Sequence, residues 1–335
     1  MPSISKVILT GSSGFLGSSI IKLLKQRGLH TVGIDIRLPL PGSEPDIYHH
    51  VDLLDLETLR TIVRTSEAQA MIHLAATHDL SDMENEKVGL PAYRTNIEGT
   101  QCLMDVLASA PKIQRVIFTS TQLISRIGHQ VASLADARPD TYYGESKLLG
   151  EKMIHAYPRK PYVWTIVRPT TVWGPGMMAH YRRFIGFVER GLYFHVSKRP
   201  LEKSYGYIEN VAHQYCQILQ AESGLVSGKT FYLADYDPLS LRTYTNEIAR
   251  CLGAAPVRTL PLGVCRVLAL LGDFMAKLGL SRFPFTSFRL RNILTEYVYN
   301  LSDTEMVCGP LPVGFTQAVE RTVAWYKADS ARMSE

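Results

Sequence analysis

Apolar residues along the chain fall into two alternating rhythms. Short runs at 7–9, 31–36, 70–76, 115–121 and 162–168 have the length and β-branched content of buried strands, and a further strand ends near Asp52. Between them, apolar positions recur at helical spacing over 15–26, 56–63, 93–108 and 143–156. In the last of these, Leu148, Leu149, Met153 and Ile154 fall at core spacing among Lys147, Glu151 and Lys152. The run from Pro169 to Gly176 then breaks the rhythm. Alternation of this kind predicts an α/β fold with a doubly wound parallel sheet covered on both faces. A helix within 204–222 and a strand at 229–234 return to that sheet. The rest reads as helix-rich, over 241–252, 262–278, 288–295 and 315–327. The expected division is therefore 1–177 with 204–237 as the sheet domain, 178–203 with 238–330 as a smaller C-terminal substrate region, and 331–335 as a tail.

Composition narrows the function classes. A net charge of +5 without any long basic run gives no nucleic-acid surface. Five cysteines, an odd number with no CxxC pair, read as free thiols of a reducing cytoplasm and not as a metal framework. The chain runs almost directly into Lys6-Val-Ile-Leu-Thr10 with no charged-then-apolar leader, so no signal peptide is expected. The most apolar stretch, 260–280, is interrupted by Arg266, Asp273 and Lys277, so no transmembrane segment is expected. It remains open whether that stretch faces a core, an apolar substrate or a membrane surface.

Candidate chemistry clusters at the ends of the expected strands. Thr10-Gly11-Ser12-Ser13-Gly14-Phe15-Leu16-Gly17 lies between a strand and a helix. Glycines there let a pyrophosphate approach the backbone, and the helix start offers free N–H groups. The spacing is GxxGxxG, where the standard dinucleotide fingerprint is GxGxxG. Asp35 ends the second strand 18 residues beyond Gly17. A carboxylate there accepts ribose hydroxyls and repels a 2′-phosphate, which favours NAD over NADP, although Arg37 works against that preference. Asp52 reads either as an adenine contact or as the N-cap of the next helix. Leu74-Ala75-Ala76 leaves room for a flat cofactor, and His73 reads as a packed strand histidine. His78 lies in the loop beyond. Asn96 sits within a helix, where propensity does not place it, and its amide is expected to brace a neighbouring backbone. Thr119-Ser120-Thr121 puts three hydroxyls at the edge of the fifth strand. Tyr143 and Lys147 are one helical turn apart, so the ammonium is expected to lower the phenol pKa and make Tyr143 a proton carrier. A packed tyrosine beside a solvated lysine is the plainer alternative.

Together these stretches resemble the extended short-chain dehydrogenase/reductase family, of the NAD-dependent epimerase/dehydratase type. The resemblance rests on the glycine turn, Asp35, Asp52-Leu53, His73 to Ala76, Asn96, Thr119 to Thr121, Tyr143-Gly144-Glu145-Ser146-Lys147, Arg168-Pro169 and Tyr207-Ile208-Glu209-Asn210-Val211-Ala212, over about residues 4 to 235. It implies a Rossmann-type NAD-binding domain. Gly11, Gly14 and Gly17 with Phe15 and Leu16 would hold the pyrophosphate, Asp35 the ribose, and Asp52 with Leu53 the adenine. Ala75 and Pro169 would lie on the nicotinamide side. Ser13, Ile36, Arg37, Leu74, Ala76, Asn96, Thr119, Ser120 and Thr171 complete the expected cofactor surface. Thr121 would be the catalytic hydroxyl and Tyr143 the acid/base, with Lys147 on the nicotinamide ribose. Gln122-Leu123 stands where dehydratases carry an Asp-Glu pair, which argues against dehydration. The resemblance favours an epimerase or dehydrogenase for a small molecule, a nucleotide-diphosphate sugar ahead of a 3β-hydroxysteroid. A non-catalytic dinucleotide sensor is third. Thr171 departs from the asparagine of the sugar-nucleotide members. Relatives of this type also suggest a homodimer pairing helices 93–108 and 143–156.

Overall fold

A computed structural model, described for residues 4–78, 89–158, 160–177, 179–278 and 285–332, turns the apolar runs into one parallel sheet. Its strands include β1 (Lys6–Thr10), β2 (His30–Asp35), β3 (Ile47–His50), β4 (Ala70–His73), β5 (Arg115–Thr119) and β6 (Val163–Pro169). Across the sheet the order is Thr230–Leu233, β6, β5, β4, β1, β2, β3, and every pairing is parallel. Parallel strands need cover on both faces, which explains their nearly continuous apolar sequences. The period of two shows directly in the core. Val7, Leu9, Ile72, Ile117 and Val167 pack with helix α1 (Phe15–Gln26) and the Ile208–Gln220 helix. Ile8, Met71, Val116, Phe118 and Ile166 pack on the other face with α2 (Leu56–Thr65) and α3 (Arg94–Leu107). The chain reverses its direction of winding between β1 and β4, the place where an open α/β sheet leaves a crevice at its carboxyl edge.

The chain divides into two compact units. The first holds residues 1–172, 208–234 and 300–312, and the second 173–207, 235–299 and 313–335. Residues 300–312 join the first unit, where the Thr304 hydroxyl donates to the Tyr232 carbonyl at 2.8 Å. The second unit is mainly helical, with Ala179–Glu189, Leu241–Leu252, Leu262–Lys277, Ser287–Leu294 and Phe315–Arg332. The Ala179–Glu189 helix was not legible in sequence, because its buried Ile185 and Val188 alternate with Arg182, Arg183 and aromatic residues. Among the described residues no helix is long and apolar enough to cross a membrane.

One local assignment changes. The N-cap of α2 is Asp55, whose carboxylate accepts from Thr58 N at 3.1 Å. Asp52 is exposed and accepts from Leu54 N at 3.0 Å, so the capping alternative for Asp52 is excluded.

Candidate active site

The glycine turn closes on itself so tightly that side chains are excluded. Gly11 has φ +72°, and a Cβ there would lie 2.6 Å from Ala75 N, on the segment that follows β4. A Cβ on Gly17 would lie 2.1 Å from the Gly11 carbonyl oxygen. Gly14 is the N-cap of α1, and this helix has neither a side-chain cap nor an acidic residue in its first turn. The N–H groups of Phe15, Leu16 and Gly17 have no intrahelical acceptor, so the positive end of α1 is left for an anion. The Ser12 hydroxyl is buried nearby without a partner.

Asp35 joins this turn to the end of β2. Its carboxylate accepts from Ser13 N and from Arg37 N, both at 2.9 Å, and it is buried. The Arg37 guanidinium is largely exposed, with Nε 3.8 Å from the same carboxylate, and Ile36 is exposed beside it. Leu53 does not line a surface, because its side chain is buried in the core against α3 at Gly99. An uncapped helix start, a turn only glycine can form and a carboxylate just beyond fit a dinucleotide with free ribose hydroxyls.

The hydroxyl and amine candidates meet at the neighbouring strand ends. Thr121 caps the short 3-10 turn Gln122–Ile124, accepting from Leu123 N at 3.2 Å, and hydrogen-bonds the Tyr143 phenol. Tyr143 and Lys147 lie in the first turns of α4 (Tyr142–Ala156), and both are buried. Thr141 caps α4 by accepting from Gly144 N at 3.0 Å. Gly144 is required here, since a Cβ would lie 1.9 Å from the Leu123 carbonyl oxygen. In the sequence Gly144 stands out only as part of the Tyr143–Lys147 motif, with no reason of its own. The His78 ring stands edge-on to Tyr143 at 5.0 Å between centroids.

Asn96 braces the site. Its Oδ1 accepts from Thr77 N at 2.7 Å, and its Nδ2 donates to the Thr77 carbonyl at 3.1 Å and to Ser146 Oγ at 2.9 Å. The loop after β4 is thereby tied to α4. Thr119 is paired with the Tyr215 hydroxyl at 2.8 Å, and Gln122 donates to Thr171 Oγ1 at 3.3 Å. Leu74 N and Ala75 N donate to the Thr10 carbonyl and hydroxyl at 3.1 and 3.3 Å. Pro169 ends β6 beside Leu233.

Behind the site is a cavity of about 10 Å³, room for roughly one water, lined among others by His73, Asn96, Ser120, Lys147 and Glu151. His73 Nε2 and Ser120 Oγ are buried there without partners. His73 Nδ1 is 2.8 Å from Thr10 Oγ1, and burial, with the Lys147 charge, lowers its pKa to about 3. It is a neutral, packed strand histidine, as its sequence context indicated.

The expected effect of Lys147 on Tyr143 is overturned. Burial pushes the phenol up to about 12, and the Thr121 hydrogen bond only partly opposes it. Burial also brings the Lys147 ammonium down to about 8, although the Glu151 charge works the other way. Spacing along a helix reveals a nearby charge, but desolvation of both groups is the larger effect. Glu151, one turn beyond Lys147, was missed as a partner. It forms a bidentate pair with Arg168 of β6, at 2.9 Å to Nε and 2.7 Å to Nη2. No group of three or more His, Cys, Asp or Glu side chains suited to a metal is present among the described residues.

The model of the NAD dependent epimerase/dehydratase family matches residues 7–234, which span the glycine turn, Asp35, Thr121, Tyr143, Lys147 and Arg168. The chain belongs to this family. Epimerase/dehydratase relatives differ in what their names record. The 3-beta-hydroxysteroid dehydrogenase of Mycolicibacterium neoaurum is 26% identical over 265 residues, covering 75% of this chain and 71% of that protein. The mouse sterol-4-alpha-carboxylate 3-dehydrogenase, decarboxylating, is 25% identical over 336 residues, covering 95% and 90%. The structure of Thermus thermophilus UDP-glucose 4-epimerase in complex with NAD matches with a TM-score of 0.70 at 20% identity, over 96% of this chain and 99% of that one. At that identity the likeness is one of fold.

Proposed function

We propose that the chain is an NAD-dependent oxidoreductase that interconverts a secondary alcohol and its ketone on an apolar, sterol-like substrate. In this reading the first unit binds the cofactor and the second recognises the substrate. Gly11, Gly14, Gly17 and the Phe15 and Leu16 N–H groups receive the pyrophosphate, and Asp35 the adenosine ribose. Asp52 and the Leu53 backbone border the adenine, and Ala75 and Pro169 the nicotinamide side. NAD, when bound, supplies the hydride acceptor for oxidation, or the donor in its reduced form.

The chain's own residues manage the proton. A phenol with a pKa of about 12 holds its proton at neutral pH, so Tyr143 is a donor to a carbonyl oxygen in the reducing direction. In oxidation it must take the alcohol proton after losing its own. The Thr121 hydrogen bond is the feature that favours the phenolate. Thr121 Oγ1 already accepts from Leu123 N, which orients its remaining hydrogen-bonding capacity.

The observation that carries the chemistry is the burial of Thr121, Tyr143 and Lys147 together beside an uncapped, glycine-lined helix start. The steroid and sterol dehydrogenases among its sequence relatives support the apolar substrate. A nucleotide-diphosphate sugar is the second reading, favoured by Arg199 and Arg242, which line a pocket of the second unit with Tyr193 and His195. The test is NADH formation by the full chain with NAD and either 3β-hydroxysteroids or UDP-sugars. Steroid-dependent NADH formation that is lost in Tyr143→Phe supports the reading. Turnover confined to UDP-sugars overturns the substrate assignment.

A further inference from the structure

The Leu262–Lys277 helix of the second unit has one narrow charged stripe, since Arg266, Asp273 and Lys277 are seven and four positions apart, and a broad apolar face beside it. Its inward side, Cys265 and Ala269, packs into a small core with Val196 and Leu290. Its outward side carries Val264, Val267, Leu270, Leu271 and Phe274, with Leu278 at the C-cap, each 46–63% exposed. A bare apolar face of this width on a surface helix is normally covered by protein or by lipid. Of its three charged residues, Asp273 is committed to the start of the next helix, accepting from Ser287 N at 3.0 Å. The outward face therefore keeps no acid.

The surroundings are basic. Among the described side chains, Arg266 on the helix and Arg289 and Arg291 on the helix that follows are the cations nearby, and Asp273 is the one acid of 262–277. Arg266, Arg289 and Arg291 are exposed. The Ser287–Leu294 helix that carries the last two packs against the apolar helix.

We propose that this face docks the protein on an anionic lipid surface, with the Leu262–Lys277 helix lying in the plane of the headgroups. Sixteen residues are too few to span a hydrocarbon core. An amphipathic arrangement of apolar face and flanking cations suits an interfacial helix. The charge complementarity selects a bilayer over a second copy of the chain, since two such faces would bring Arg266, Arg289 and Arg291 against the same three cations. This inference stands apart from the catalytic reading, because the surface is defined without reference to the cofactor or the alcohol.

The test is flotation of the full chain with phosphatidylcholine vesicles, with and without phosphatidylserine. The protein floats with the anionic vesicles, and raising the ionic strength weakens the association. Exchanging Leu270→Gln and Phe274→Gln together lowers the partition at least about tenfold, from the apolar area no longer buried. Arg266→Gln with Arg291→Gln lowers it about 25-fold on anionic vesicles, from about fivefold per basic residue. Met306→Gln, at an exposed residue of the first unit, leaves it unchanged. Circular dichroism verifies that each variant is folded. Absence of flotation by the parent chain overturns the proposal. So does equal flotation of the Leu270/Phe274 variant, or a solution mass that halves in that variant, which would identify a second copy as the occupant.

Discussion

Replacing Arg168 by methionine tests the structural support behind Lys147. The Glu151–Arg168 pair is buried, with side chains only 1% and 7% exposed, and both carboxylate oxygens are engaged. Arg168 also donates to the Tyr232 hydroxyl at 3.2 Å and lies over that ring at 5.4 Å. Deleting the guanidinium leaves a carboxylate in the interior without its hydrogen-bonded counter-charge, and Lys147, one turn away, offsets that only in part. Breaking a buried pair in this way costs about 3–5 kcal/mol, mainly from the charge left behind. For a unit of roughly 200 residues, at about 2–4 °C per kcal/mol, the midpoint of thermal unfolding falls by about 6–20 °C. The double variant Glu151→Leu with Arg168→Met removes both desolvation penalties and recovers most of this loss. Differential scanning calorimetry of the parent, both single variants and the double variant closes the cycle. A loss under about 1 kcal/mol in Arg168→Met, or a double variant no better than the single, refutes the view that an uncompensated interior charge is what the pair prevents.

Four further outcomes follow from the same geometry. Tyr143→Phe abolishes most turnover while calorimetric NAD affinity stays close to that of the parent; a loss mainly in affinity contradicts a proton-carrying role. Asp35→Ala raises the ratio of NADP to NAD use, as measured by kcat/KM for each, and an unchanged ratio removes the ribose contact. Lys147→Met tests linkage. A folded pKa of about 8 against 10.5 means that the full penalty for the charged amine is present below about pH 8 and is relieved as pH rises towards 10.5. The parent should therefore gain on the order of 3 kcal/mol relative to the methionine variant across that window, read from urea unfolding, and parallel pH profiles would contradict it. Gly144→Ala places a methyl 1.9 Å from the Leu123 carbonyl oxygen, which forces the start of α4 and the Thr121 turn apart. Activity should fall at least tenfold with the fold retained by circular dichroism, and full activity would show that this contact does not position Tyr143.

What was legible in the sequence was what is local. A strand that is buried on both faces writes a continuous apolar run, so β1, β4 and β5 could be placed. A tight strand-to-helix turn writes its glycines, and Tyr143 and Lys147 share a helix face by spacing alone. The missed features join distant segments. Glu151 looked like a surface residue of α4 until β6 brought Arg168 to it, 17 positions away. Leu53 followed a recognised acid but turned inward against α3. The apolarity of 262–277 was visible, yet which side remains bare depends on where Val196 and Leu290 lie.

The reversal at Tyr143 has the same origin and carries a mechanistic consequence. Burial makes the phenol reluctant to lose a proton and makes the ammonium readier to lose one. The two pKa values therefore move apart from 10.0 and 10.5, with the phenol above the amine, the wrong order for a phenolate–ammonium pair. Deprotonation of Tyr143 therefore needs a change in the polarity of the site beyond the Lys147 charge. On the proposed reading, a bound cofactor and substrate supply that change with their own hydroxyls and charge. The proton step is thereby coupled to occupancy. A pH–rate profile with both ligands saturating should place the ionisation of Tyr143 well below about 12, whereas direct titration of the ligand-free phenol should find it near that value. Equal values in the two measurements would mean that the surroundings of the phenol do not respond to what binds beside it.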